Sequence, residues 1–158
     1  MILLDSKAGE RFRGIVEEVS PEELRKLEGN EQFVFNWSKE IAHQVFKIRR
    51  ENKKEILGLI SLIDINRELR IHINLIESAK EHKGKDKRIE NIPGCLISYA
   101  CKMAFEKGYD GFVSLEPKTQ LIDHYHKMYG FVRVGTQMAV FLEASKLLIS
   151  KYIDDEEI

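Results

Sequence analysis

The stretch Lys85–Leu115, KDKRIENIPGCLISYACKMAFEKGYDGFVSL, decides the fold. A basic run meets Asn91-Ile92-Pro93-Gly94, and a segment with helical spacing follows at once. Leu96, Ala100, Met103 and Ala104 share one face of that segment, and Gly108 stops it. Residues 111–115, GFVSL, then read as a short buried strand ended by Pro117. A helix that starts this way leaves several N–H groups without internal partners. They point outward at the positive end of the helix dipole, where an anion is favoured.

Upstream, LRIHINLIES (69–78) alternates, with Ile71, Ile73 and Leu75 on one face and His72, Asn74 and Ile76 on the other. EILGLISLIDI (55–65) is more continuously apolar, as in a buried strand. FVFNW (33–37) and AHQVFKIRRE (42–51) also read as extended. The polar breaks ENKKE and DINRE are short enough for hairpins, so these strands are expected to be antiparallel. RFRGIVEEV (11–19) is a first strand, and Ser20-Pro21-Glu22-Glu23 opens a short helix.

Downstream, TQLIDHYHKMYGF (119–131) is a helix stopping at Gly130, and VRVGTQMAVFLE (132–143) a strand or hairpin. LEASKLLISKYI (142–153) is a terminal helix, and residues 154–158 are expected to be a loose acidic tail. The order is β-α, three antiparallel strands, then α-β-α-β. That is an α/β fold with a mixed, mostly antiparallel central sheet and a right-handed β-α-β crossover. The gap beside strand 69–78, where the helix start also lies, is the expected binding place.

The 158 residues form one domain, 1–158, without linker or repeat. A net charge of -1 gives no global reason to expect nucleic acid or membrane as partner. No apolar run approaches the ~20 residues that span a bilayer, and the opening MILLDSKAGERF is charged too soon for a signal peptide. Cys95 and Cys101, six apart on one helix, form neither a disulfide nor a metal-ligand spacing. They fit a reduced, cytoplasmic protein. His124 and His126, two apart on a helix, point to different sides, so no metal is expected.

These residues resemble the GNAT superfamily of N-acetyltransferases over roughly residues 33–141, in particular a bacterial subgroup of unassigned substrate. The superfamily opens its central helix with Arg/Gln-x-x-Gly-x-Gly/Ala. The matching stretch is Arg88-Ile89-Glu90-Asn91-Ile92-Pro93-Gly94, with Asn91 and Pro93 at the two small positions. Ile76-Glu77-Ser78-Ala79, the run Glu116-Pro117-Lys118-Thr119, and Tyr125 before Gly130-Phe131 carry the rest. Lys118 stands where many relatives have Asn, and Tyr125 precedes Gly130 by five positions where four is commoner; His126 has the commoner spacing.

The resemblance implies acetyl-CoA as co-substrate and no metal. Its diphosphate would be cradled by Arg88, Asn91, Ile92, Gly94 and Cys95, with Ile76, Ser78 and Lys118 also along the cofactor. Glu77 is the implied base, its pKa raised by burial, with Glu116 second; Tyr125 is the implied acid. His72 and Asn74 could line an acceptor groove, or form a plain polar sheet face. The implied reaction is acetyl transfer to a primary amine, of a small molecule or a protein, by direct attack. A homodimer is compatible with this. The departures at Asn91, Pro93 and Lys118 motivate an alternative, a non-catalytic acyl-CoA-binding or protein-interaction module on the same fold.

Overall fold

The computed structural model describes residues 1–84 and 86–153; Lys85 and the expected acidic tail lie outside it. Among the described residues, nine strands form one curled sheet: β1 (Ile2–Asp5), β2 (Glu10–Glu18), β3 (Gln44–Arg50), β4 (Ile56–Ile65), β5 (Arg70–Ser78), β6 (Ile89–Glu90), β7 (Val113–Leu115), β8 (Val132–Val134) and β9 (Gln137–Val140). Their order is β6-β1-β2-β3-β4-β5-β7-β9-β8. Only β5 and β7 are parallel, and the helix between them, α2 (Ile92–Glu106), makes the expected crossover. The other helices are α1 (Pro21–Arg25), α3 (Ile122–Tyr129) and α4 (Leu142–Tyr152). No described helix is long and apolar enough to cross a membrane.

Local chemistry explains most boundaries. Ser20 caps α1 by accepting from the Glu23 amide at 3.2 Å, and Pro21 fills the first turn. Gly130 ends α3 in the left-handed region at φ 74°. The main core lies between α2 and the sheet, and includes Ile60, Leu62, Ile71, Ile73, Leu96 and Val113. A smaller core on the other face gathers Leu24, Phe33, Trp37, Val45 and Leu59 under the N-terminal segments.

Four features differ from the sequence reading. First, β1 and β6 pair with each other, Leu4 opposite Glu90, and so pin the loop that enters α2. Second, FVFNW is not a strand. Trp37–Glu40 is a 3₁₀ turn capped by Asn36, and the amides of Val34 and Phe35 donate to a side chain instead of a ladder. Third, β5 does not alternate throughout. Its register with β4 jumps from Ser61–Leu75 to Leu62–Ile73, so Asn74 is the extra residue of a bulge. Leu75 therefore leaves the face of Ile71 and Ile73 for the smaller core, while Ile76 joins the main one. Fourth, α4 runs antiparallel along α2. Ser98 Oγ donates to the Leu148 carbonyl at 3.0 Å, and Tyr152 reaches Gly94.

Candidate active site

The sheet opens at its middle. Pairing of β5 with β7 runs through Ile71–Val113, His72–Ser114 and Ile73–Leu115, and there it stops. β5 continues to Ser78, whereas β7 ends and Pro117, with no N–H, follows. The β7-side edge of Asn74–Ser78 is left without a strand partner among the described residues. Ile76 and Ser78, both half-buried, lie on this stretch.

The start of α2 faces the same end of β5. It sits hard on β4: a Cβ at Gly58 would lie 2.6 Å from Ile92 Cγ2. Asn91 holds φ 75°, the left-handed conformation that glycine would otherwise supply. The amides of Ile92 and Gly94 have no partner among the described residues, and helix geometry points them out along the axis. The expected cradle is smaller than its sequence suggested. The Cys95 amide is already used, donating to the Asn91 carbonyl at 3.0 Å. Arg88 is turned to Asp5, Nε to Oδ2 3.4 Å. Gly94 does not spare its side chain for a ligand's approach: the Tyr152 ring occupies that direction, 2.3 Å from where a Cβ would be.

Tyr125 on α3 packs against Phe131 and Tyr129, with ring centroids 5.7 and 6.2 Å away. Its hydroxyl has no hydrogen-bond partner among the described residues, and burial pushes its pKa up. His126 is engaged elsewhere, its Nδ1 2.8 Å from the Phe131 carbonyl.

Glu77 requires a correction. The bulge at Asn74 turns it to the Trp37 face, where it is 5% exposed. Its carboxylate accepts from the amides of Val34 (2.7 Å) and Phe35 (3.2 Å), from Trp37 Nε1 (3.0 Å) and from Lys83 Nζ (2.6 Å). Burial pushes its pKa up, but Lys83, Trp37 and the two amides together outweigh it and hold the group below its ordinary value. The expected upward shift does not occur. Glu77 is the ionised clamp that fastens residues 34–37 to the sheet.

The polar residues of β5 form a network on this same face. His72 Nδ1 and Ser114 Oγ are 2.8 Å apart, and Arg70 donates to Ser114 Oγ and to Gln137 Oε1 (2.8 Å). Burial, and then Arg70, keep the His72 imidazole below its usual range, while Glu116 pulls the other way. Asn74 donates to Glu40 at 2.6 Å, and Lys118 lies 5.8 Å over the Phe35 ring. These contacts tie the N-terminal segment and the end of β7 to one groove.

No family model matches the chain, and no curated protein does. Solved structures do. A spermidine N-acetyltransferase SpeG chimera from Vibrio cholerae and hSSAT is 17% identical, over 85% of this chain and 98% of its own, at a TM-score of 0.62. The AtaT toxin bound to the C-terminus of the antitoxin AtaR is 14% identical, over 88% and 98%, at 0.61. The PaiA N-acetyltransferase from Thermoplasma acidophilum, in complex with coenzyme A, is 13% identical, over 81% and 97%, at 0.56.

The chain has the GNAT fold.

What is shared at these identities is the architecture. Within this GNAT frame, sequence reasoning missed Tyr152 on Gly94, the Ser114–Gln137 half of the polar network, and the donors around Glu77. Only the last had a local signal: Val34, Phe35 and Trp37 sit together in a run too apolar for a solvated loop. The other two depend on segments distant in the chain.

Proposed function

We propose that this chain is an acetyl-CoA-dependent N-acetyltransferase that moves an acetyl group to a primary amine by direct attack. The observation that carries the reading is the parted β5–β7 edge beside two unpartnered amides, Ile92 and Gly94, with the unpartnered Tyr125 hydroxyl on α3. Those amides would hold one end of the cofactor's diphosphate. The free edge of Asn74–Ser78 would hydrogen-bond the amides of the pantetheine arm. The amine nitrogen adds to the thioester carbonyl carbon, and the C–S bond then breaks. Tyr125, kept protonated by burial, gives its proton to the departing thiolate and regains one from solvent. The proton lost by the amine passes through water to Glu116, the exposed carboxylate that follows β7, next to neutral His72. Glu77 takes no proton in this scheme; it positions residues 34–37.

One observation favours a second reading, an acyl-CoA-binding module without turnover: Pro93 lacks an N–H and Tyr152 roofs Gly94, which leaves a reduced cradle. Calorimetry with acetyl-CoA and a thiol-release assay across an amine panel separate the two. Under the enzymatic reading Tyr125→Phe lowers turnover by roughly tenfold or more and leaves acetyl-CoA affinity unchanged. Binding with no thiol release for any amine selects the second reading, and no binding at all rejects both.

A further inference from the structure

A partly open cavity of about 140 Å³ lies between the start of β4 and the loop that leads into α2. Asp5, Arg50, Glu55, Glu81, His82 and Arg88 are among its lining residues. His82 follows β5 directly, in a 3₁₀ turn, and its side chain is 1% exposed. Neither of its ring nitrogens makes a hydrogen bond among the described residues. Nε2 comes to 3.3 Å from Glu81 Oε1, but without hydrogen-bond geometry. A buried imidazole with both nitrogens unpaired is costly, about 1–3 kcal/mol for each unmade bond. Such a ring is normally held for a partner.

We infer that Glu55, Glu81 and His82 bind a first-row transition-metal dication, with zinc the best fit. One ligand atom from each of the three residues lies within 4.8 Å of the other two. A tetrahedral ion with bonds of about 2.0–2.1 Å sets its ligand atoms about 3.3 Å apart. Both glutamates are exposed and free to close that difference by rotation; only the imidazole is fixed. Imidazole with two carboxylates is a donor set for zinc and its neighbours, not for calcium or magnesium. The carboxylates of Glu55 and Glu81 face each other, a like-charge contact that a dication relieves. The cations nearby are mostly committed elsewhere. Arg50 donates to Glu10 at 2.7 Å and Arg88 is turned to Asp5. Lys53 is the remaining competitor on the cavity wall.

The ion would tie Glu55, just before β4, to the turn after β5, and so stiffen the loop that carries Asn91 to the α2 start. The motif is invisible in the sequence because Glu55 and His82 meet only across the β4–β5 pair.

The test is a titration of the full chain, stripped with chelator, with zinc against a chromophoric competitor. The expected result is one zinc per chain, with a zinc K-edge spectrum fitted by one imidazole and oxygen ligands and no sulfur. Glu55→Gln and Glu81→Gln each weaken zinc by roughly tenfold or more, and both variants melt within a few degrees of the metal-free parent. These exposed positions are used because His82→Ala opens a cavity and risks the fold. Absence of stoichiometric zinc overturns the inference; ordered water then fills the cavity. So does zinc binding of equal strength in both variants, or a sulfur ligand in the spectrum.

Discussion

Gly94→Ala is the sharpest probe of how the C-terminal helix meets the α2 start. An alanine Cβ there would lie 2.3, 2.4 and 2.8 Å from three atoms of the Tyr152 ring. Carbon atoms in contact sit about 3.5–4.0 Å apart, so the ring must retreat by more than an ångström. It has little room, being 5% exposed and backed by Tyr129 at a centroid distance of 6.4 Å. Overpacking of that kind costs about 1–3 kcal/mol, and the helix preference of alanine over glycine returns up to about 1 kcal/mol. The net loss is about 1.5 kcal/mol, which for a chain of this size lowers Tm by about 3–6 °C. Thermal melts by circular dichroism measure it. A second background isolates the cause. In Tyr152→Leu the ring is gone, so Gly94→Ala becomes neutral or mildly stabilising, and the double-mutant cycle shows a coupling of about 1–3 kcal/mol. If Gly94→Ala raises Tm in the parent, or costs the same in both backgrounds, Tyr152 is not seated on Gly94 and the account of the narrowed cradle is wrong.

Other expectations follow from single contacts. Glu77→Gln leaves Lys83 unpaired and turns an amide donor toward other donors, costing about 3 kcal/mol in urea unfolding. Because the folded-state pKa of Glu77 lies below its ordinary 4.5, its contribution is complete above that pH and is lost as pH falls through the lower folded value. The gap between parent and Glu77→Gln should therefore narrow in acid, and a gap independent of pH would remove Glu77 from that role. Cys95 and Cys101 are buried, their thiols pushed up to about 12 by burial, so a chromogenic thiol reagent should be silent on the native protein and count two thiols in denaturant. Rapid labelling without denaturant would contradict the packing of α2. Leu69, exposed and held at φ 51° between β4 and β5, should gain about 1 kcal/mol on replacement by Asn, read as a higher Tm; a loss would mean its side chain packs against something.

The sequence made some levels of this molecule readable and hid others for definite physical reasons. The α2 start and the parallel crossover were readable because they depend on local features: a turn residue, a proline in the first turn and an apolar stripe at helical spacing. The proposed phosphate cradle was half readable. Backbone amides can be counted from a helix start, but Tyr152 over Gly94 requires knowing that α4 runs back along α2. The direction of the Glu77 pKa shift was misread for a single reason, the bulge at Asn74. Alternation in LRIHINLIES breaks just past that residue, where Leu75 and Ile76 are both apolar, but two adjacent apolar residues fit a strand buried on both faces as well as a bulge.

Its effects are nonetheless large. A one-residue insertion exchanges the two faces of everything beyond it. Leu75 and Glu77 are sent to the face of Phe33 and Trp37, and Ile76 to the helix side. Glu77 there draws off the amides of Val34 and Phe35, which is why FVFNW, with good strand composition, forms no ladder. The bulge also falls where β5 and β7 part, since the last paired residue, Ile73, immediately precedes Asn74. Added local twist at that point carries the rest of β5 away from its parallel neighbour. One insertion thus parts the two strands and, in the same step, seats the Glu77 carboxylate against the donors of residues 34–37. Under the proposed reaction Glu77 is held by four donors, so the base is assigned to the β7 side, where Glu116 follows Leu115.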